Sequence, residues 1–220
     1  MRQSAAYAHE TLLAILAPPM CVRCNVALDR ESVFCMHCLM RLQKVASYLL
    51  PITKNYAITV FAAAAYQDSV QTLICAKLQR RIAAARQLGI LIWEQTDIAN
   101  QQFDYIVPVP LHWRRYLERG YNQADEIARV LSTRSGKPVL HCLERTRATV
   151  TQAGLSADAR AENVEDAFAL KKRYAPVVRN ARILLVDDVF TTGSTIHACA
   201  RALRMKRPAS IIAAVAGRVV

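Results

Sequence analysis

Acidic residues are scarce in this chain: 17 Asp+Glu stand against 29 Lys+Arg in 220 residues, a formal net charge of +12 at pH 7. An excess of that sign makes a polyanionic partner or an anionic small substrate an early expectation, without choosing between them. Glycine and proline are few as well, 6 and 8. With 53% hydrophobic and 21% charged residues, this excludes fibrous and disordered chains and leaves one or two globular domains. No apolar run approaches the roughly 18 residues of a membrane-spanning helix; the longest uncharged stretches, near Ala57–Tyr66 and Ile211–Gly217, read as core. Thr11–Ala17 has the hydropathy of a short signal-peptide core, but His9 and Glu10 precede it and Pro18 and Pro19 follow where a small-residue cleavage site belongs, so it reads as a short helix. Internal repeats, low-complexity tracts and a GxxxxGK[ST] loop are all lacking.

What is present begins with cysteine. Of seven, the first four form Cys21-x-x-Cys24, ten intervening residues, and Cys35-x-x-Cys38. Two such knuckles supply the four thiolates of a closed, structural tetrahedral Zn²⁺ site, with a linker shorter than usual. A pair of disulfides or a redox CxxC is the competing reading. The isolated Cys75, Cys142 and Cys199 leave an odd total, which argues against a secreted disulfide framework. His37, inside the second knuckle, is a bystander when four cysteines are available. Pro51 and Asn55 mark the expected boundary, giving a module of residues 1–50 (a short helix plus the four-cysteine site) and a domain of residues 55–220. Fifty residues bury too little for a self-sufficient core, so the metal substitutes for missing hydrophobic contact.

From Tyr56 the pattern alternates. Val70, Leu73, Ile74 and Leu78 recur at helical spacing, Tyr105–Val109 reads as a short strand, and Ala124–Leu131 reads as a helix closed by Gly136-Lys137-Pro138. Val139–Leu140 and Ala167–Leu170 are strand candidates on either side of a polar segment, Glu144–Asp166. Ile183–Val186 is a buried strand, Thr195–Lys206 a helix ended by Pro208, and Ile211–Ala216 a last strand. Alternating β and α elements predict an α/β fold, a parallel sheet with helices on both faces and ligands at the carboxyl ends of the strands.

The sharpest motif, Val186-Asp187-Asp188-Val189-Phe190-Thr191-Thr192-Gly193-Ser194-Thr195, lies between that strand and the next helix. Gly193 permits positive φ and close backbone approach. Thr191, Thr192, Ser194 and Thr195 add hydroxyls to the free N–H groups of the helix start, making a nest for one phosphate. Asp187 and Asp188 call for a partner with donors or a cation, and a ribose diol with Mg²⁺ nearby offers both. An N-capping cluster beside two solvated aspartates is the bland alternative.

This stretch resembles the 5-phosphoribosyl-1-pyrophosphate (PRPP) motif of type I phosphoribosyltransferases: hydrophobics, two acidic residues, then a TTGxT-like loop. The resemblance implies that Asp187 and Asp188 hold the ribose hydroxyls, that Val189 and Thr191 to Thr195 line the 5-phosphate cradle, and that an earlier loop binds pyrophosphate with Mg²⁺. Val107-Pro108-Val109-Pro110, then Arg114, Arg115, Arg119, Gly120, Tyr121, Asn122 and Gln123, resembles the signature of the ComF/GntX-like (competence protein F) family, which carries a four-cysteine zinc module ahead of a phosphoribosyltransferase-like domain. The leading helix ending in Pro-Pro, the segment Arg145-Thr146-Arg147 through Gln152, Leu155, Arg160 and Asn163, and the final strand agree, so the resemblance spans nearly the whole chain. Guanidinium forks at Arg114, Arg115 and Arg119 suit pyrophosphate, and Gly120 allows backbone approach; a solvated basic turn is the alternative. His112 and Trp113 have no assignable role. Glu144–Asp166 occupies the place of the flexible lid of active relatives, and its arginines either reach leaving-group oxygens or keep a loop soluble.

Two readings of function follow. One is an enzyme of pentosyl transfer, with Asp187, Asp188, Arg114 and Arg115 as its catalytic residues and an unidentified acceptor. The other is a PRPP- or nucleotide-sensing module that grips single-stranded DNA without turnover. The resemblance implies a cytoplasmic role in natural transformation on incoming single-stranded DNA, alongside DNA-uptake and recombination proteins. Residues 1–50 hold 5 Lys+Arg and 3 Asp+Glu, and residues 51–220 hold 24 and 14, so the charge belongs mainly to the second domain.

Overall fold

The structure, a computed structural model, describes residues 19–28, 32–75, 82–111, 120–146 and 167–220. The chain separates into two compact units, Met1–Gln43 and Lys44–Val220.

In the first unit, Pro19 to Leu28 folds back on itself. The Leu28 amide donates to Pro19 O (2.8 Å), Cys21 N to Val26 O (2.8 Å) and Asn25 N to Cys21 O (2.9 Å), with Asn25 at φ 56° turning the corner. Val33 and Phe34 are buried, and Cys35 then precedes the short helix α1 (Met36–Leu39).

The second unit begins earlier than the sequence suggests. The expected boundary at Pro51 and Asn55 falls within a hairpin, where β1 (Tyr48–Thr53) pairs antiparallel with β2 (Tyr56–Ala65). Pro51 lacks an N–H but lies on a strand bonded on one side only, where none is required. The chain continues through α2 (Asp68–Cys75), α3 (Ile82–Gln95), β3 (Tyr105–Pro108), α4 (Gln123–Ser135), β4 (Leu143–Arg145), β5 (Phe168–Leu170), α5 (Ala175–Val178), β6 (Arg182–Phe190), α6 (Ser194–Arg204) and β7 (Ser210–Arg218). The main sheet has the order β1-β2-β7-β6-β3, parallel except at β1; β4 and β5 form a separate antiparallel pair. Val139 joins β3 by a single parallel bridge, too short to count as the strand expected there.

Ile183 and Leu185 of β6 pack with Ala213 and Val215 of β7 and with Ile196, Cys199 and Leu203 of α6. Leu184, Val186 and Ala214 alternate with them and are equally buried. Both faces of the sheet are therefore covered, as its β-branched and leucine-rich strands demand. Helices α3 and α4 meet at Gly89, where an added Cβ would lie 2.8 Å from the Cβ of Val130. Parallel neighbours β3 and β6 are fastened at their start by Asp104: it accepts from Arg182 N (2.8 Å) and pairs with Nη2 of Arg182 (2.7 Å), which holds its carboxyl at about 2.

Candidate functional site

The four sulfurs of Cys21, Cys24, Cys35 and Cys38 lie within 4.8 Å of one another, with no histidine or carboxylate in the group. Each is a free thiol. Cys24 Sγ and Cys35 Sγ are 3.7 Å apart, far beyond the ~2.05 Å of a disulfide and close to the about 3.8 Å between two ligands placed 2.3 Å from one tetrahedral ion. Burial raises the Cys21 thiol, but backbone amides of Cys35, Cys24 and Arg23 directed at the sulfur outweigh it and bring the group to about 6, whereas burial and the neighbouring cysteines push Cys38 up to about 12. This donor set fits a metal ion such as zinc. His37 is exposed and outside the group.

At the opposite end of the sequence, Asp187, Asp188 and Val189 occupy the carboxyl end of β6 and are half-buried. The chain then turns through exposed Thr191 and Thr192 into α6, which begins at Ser194. Gly193 makes that turn at φ 78°, and a Cβ there would meet the Phe190 ring at 2.6 and 2.8 Å. Conformation and space both require glycine at this point. Thr192 Oγ1 donates to Ser194 Oγ (3.1 Å) and His197 N to Gly193 O (2.8 Å). The amides of the first α6 turn, with the hydroxyls of Thr192, Ser194 and Thr195 around them, have the layout of an anion cradle. Asp188 N donates to Asp187 Oδ1 (2.9 Å). The carboxylates otherwise look to different neighbours: Asp187 adds to burial in pushing the Cys199 thiol up, with Arg145 opposing, while Asp188 contributes to raising Tyr66.

Pro108 is in register with Val186, and Val109 N donates to Val186 O (2.9 Å), so the segment after β3 leaves the sheet beside the aspartates. Asn122 closes its far end. The Asn122 side chain accepts from Ala124 N (3.2 Å) to cap α4 and donates to Val109 O (2.9 Å), a structural role for a residue the sequence offered only as part of a signature. Gly120 has φ 75° with open space around it. Arg114, Arg115 and Arg119, with His112 and Trp113, lie outside the described residues, as do Arg147 and Arg160. Arg145 lies in β4, its guanidinium 5.2 Å over the Phe168 ring.

Several neighbours of the site went unread in the sequence. Tyr66, just past β2, approaches Cys75 Sγ at 3.2 Å and is pushed up to about 12 by that contact, by burial and by the charges of Cys75 and Asp188. Beside Gly193, the rings of Phe190 and Tyr48 sit 5.5 Å apart. A cavity of about 480 Å³ opens at the end of β3, between Pro108, Asn122, His141 and Lys171, where His141 Nε2 meets Asp125 Oδ1 at 2.5 Å. Proximity of β3, β6 and β2 at one sheet end produces these neighbours, and no local sequence pattern marks them.

Comparison with known proteins adds four findings. The phosphoribosyl transferase domain family matches residues 80–218, more than half of the chain. The DNA utilization protein YhgH of Escherichia coli is 31% identical over 204 residues, 87% of this chain and 81% of that protein. Competence protein F of Haemophilus influenzae is 44% identical over 102 residues, 45% of this chain and 43% of its own; competence protein ComFC of Bacillus subtilis is 34% identical over 109 residues, 49% of this chain and 41% of its own. With its four-cysteine cluster ahead of an α/β domain that carries the aspartate pair and the glycine turn, the chain belongs to the phosphoribosyl transferase domain family and, within it, to the ComF/GntX-like group of competence protein F relatives.

Proposed function

We propose that this protein binds PRPP with Mg²⁺ at the β6–α6 junction and acts in the cytoplasm, in natural transformation or DNA utilisation, on incoming single-stranded DNA. The observation that carries the ligand assignment is the turn at Gly193, left-handed and packed against Phe190, with two half-buried carboxylates before it and a helix start after it. In this reading the amides and hydroxyls of Thr191 to Thr195 take the 5-phosphate, Asp187 and Asp188 accept from the ribose hydroxyls, and Arg114, Arg115 and Arg119 face the pyrophosphate. Carboxylate oxygens suit a hard divalent cation, and Mg²⁺ supplies charge neutralisation for the pyrophosphate when bound. Zinc on the four cysteines is structural. The DNA partner rests on the +12 net charge and on the names of the relatives; no helix among the described residues is long and apolar enough to cross a membrane.

Titration calorimetry of PRPP, with and without Mg²⁺, tests the pocket. Wild type gives a Mg²⁺-dependent heat that the double variant Asp187→Ala/Asp188→Ala loses, and Gly193→Ala weakens it at least tenfold because the left-handed turn costs any L-residue about 1–2 kcal/mol before the ring clash is counted. Equal affinity in wild type and the double variant contradicts the assignment. Pyrophosphate release across candidate acceptors reports turnover separately.

A further inference from the structure

Resting on the reading that the protein engages single-stranded DNA, we infer that Tyr48 and Arg218 form a stacking platform for one of its bases, at the rim of the phosphate loop. Four contacts place it there. A Cβ at Gly193 would touch the Phe190 ring at 2.6 Å. The Phe190 ring lies 5.5 Å from that of Tyr48, tilted by 55°. The Arg218 guanidinium is 5.5 Å over the Tyr48 ring. Its Nη1 donates to Ala46 O at 3.0 Å, which fixes the cation in place. The ladder of Phe190, Tyr48 and Arg218 therefore starts in the core beside the loop and passes through the exposed Tyr48 to the half-buried Arg218.

Along β1, Tyr48 shares one face with Leu50 and Ile52 and stands at its exposed end. Leu50 and Ile52 of that strand are 7% and 5% exposed, whereas Tyr48 is 41% exposed. An aromatic ring with a neighbouring guanidinium plane is the arrangement on which unpaired bases stack, and stacking tolerates any base because each has a π face. A duplex offers no free base face, so the platform selects single strands.

Charge complementarity names the same occupant. Residues 167–220 hold ten Lys+Arg against two acidic residues, and those two are Asp187 and Asp188 of the proposed pocket. Arg201, Lys206 and Arg207, at the end of α6 and just after it, are exposed, and Arg204 stacks over Tyr56 at 4.3 Å, a second Arg–Tyr pair on this unit. On α3 and α4, Arg86 pairs with Glu126 at 3.0 Å and Arg129 with Asp125 at 3.2 Å. A strand running along α6 would thus meet phosphate partners at the far end of the helix and an aromatic seat at the loop.

Fluorescence anisotropy on the full chain tests the platform, with a labelled oligothymidine of about 16 nucleotides and an abasic strand of the same length. Tyr48→Ala weakens the oligothymidine roughly 5- to 150-fold, the span expected for losing one base stack, and leaves the abasic strand unchanged. Tyr48→Phe binds both strands as wild type does. Arg218→Lys keeps the charge and loses the flat guanidinium, so it weakens oligothymidine more than the abasic strand; it carries the test if Tyr48→Ala lowers the melting temperature. Tyr48→Ala and Arg218→Lys chains that bind both strands like wild type overturn the platform while leaving the DNA reading standing. A wild-type chain that binds neither strand overturns the DNA reading itself.

Discussion

Among the described residues of the first unit, the buried apolar side chains are Cys21, Val33, Phe34 and Cys38, so half of that small core is sulfur. The second unit buries Ile183, Leu184, Leu185 and Val186 of one strand completely, under helices on both sides. Its own buried thiols, Cys142 and Cys199, stand apart from one another in the sequence and serve as small apolar residues. Burial pushes Cys142 up to about 12 and Cys199 well above an ordinary thiol, so both stay protonated. One residue type therefore has two uses: where apolar area is short, four sulfurs gather around a point that a metal can fill, and where area is ample, cysteine is filler.

That contrast can be broken from either side. Removing the metal has the largest effect, since structural zinc contributes on the order of 10–16 kcal/mol to small modules. A strong chelator, or Cys38→Ser, is expected to abolish amide-exchange protection at Cys21, Asn25 and Leu28 while the amides of β6 and β7 keep theirs; loss of protection in both units would contradict independent support. Leu185→Ala attacks the other side. It removes a fully buried side chain from the α6 face and should lower stability by about 2–5 kcal/mol in denaturant titration. Metal content should stay unchanged.

The smallest effect is electrostatic. Arg182 bonding and charge draw the Asp104 carboxyl down from 3.8 to about 2, so the ionised form is favoured in the folded state. The stability it contributes is complete above about pH 4 and is lost as pH falls through about 2. With its side chain 34% exposed, Asp104 gives only a modest contribution. Asp104→Asn should therefore cost a modest amount of stability at pH 7, and the difference from wild type should shrink to nothing as pH falls towards 2, which flattens the acid limb.

Legibility in the sequence followed the physics of each element. Residues 183–186 and 211–216 could be read as strands because each is a short, continuous apolar run containing β-branched residues, and the structure extends them to Arg182–Phe190 and Ser210–Arg218. Helix α3 escaped: Leu88 through Ile92 are buried consecutively, so no polar face interrupts the run to reveal a 3.6-residue period. β1 escaped because Pro51 and Asn55 read as punctuation, and only pairing with β2 shows that the proline occupies an edge strand. At the site, Gly193 and the aspartate pair were visible because chemistry and local conformation coincide within ten residues. Tyr48, Phe190 and Arg218 come together from β1, β6 and β7, with Tyr66 just past β2 donating its amide to Arg218 O, a proximity set by strand order rather than by spacing.

A crystal structure of the full chain with PRPP and Mg²⁺ would show whether the β6–α6 junction is a phosphoribosyl site. The 5-phosphate is expected against the amides of Thr192 to Thr195, and the ribose hydroxyls within hydrogen-bond reach of Asp187 and Asp188. Ligand density in the His141 cavity instead, or none at the junction at saturating concentration, would contradict that expectation.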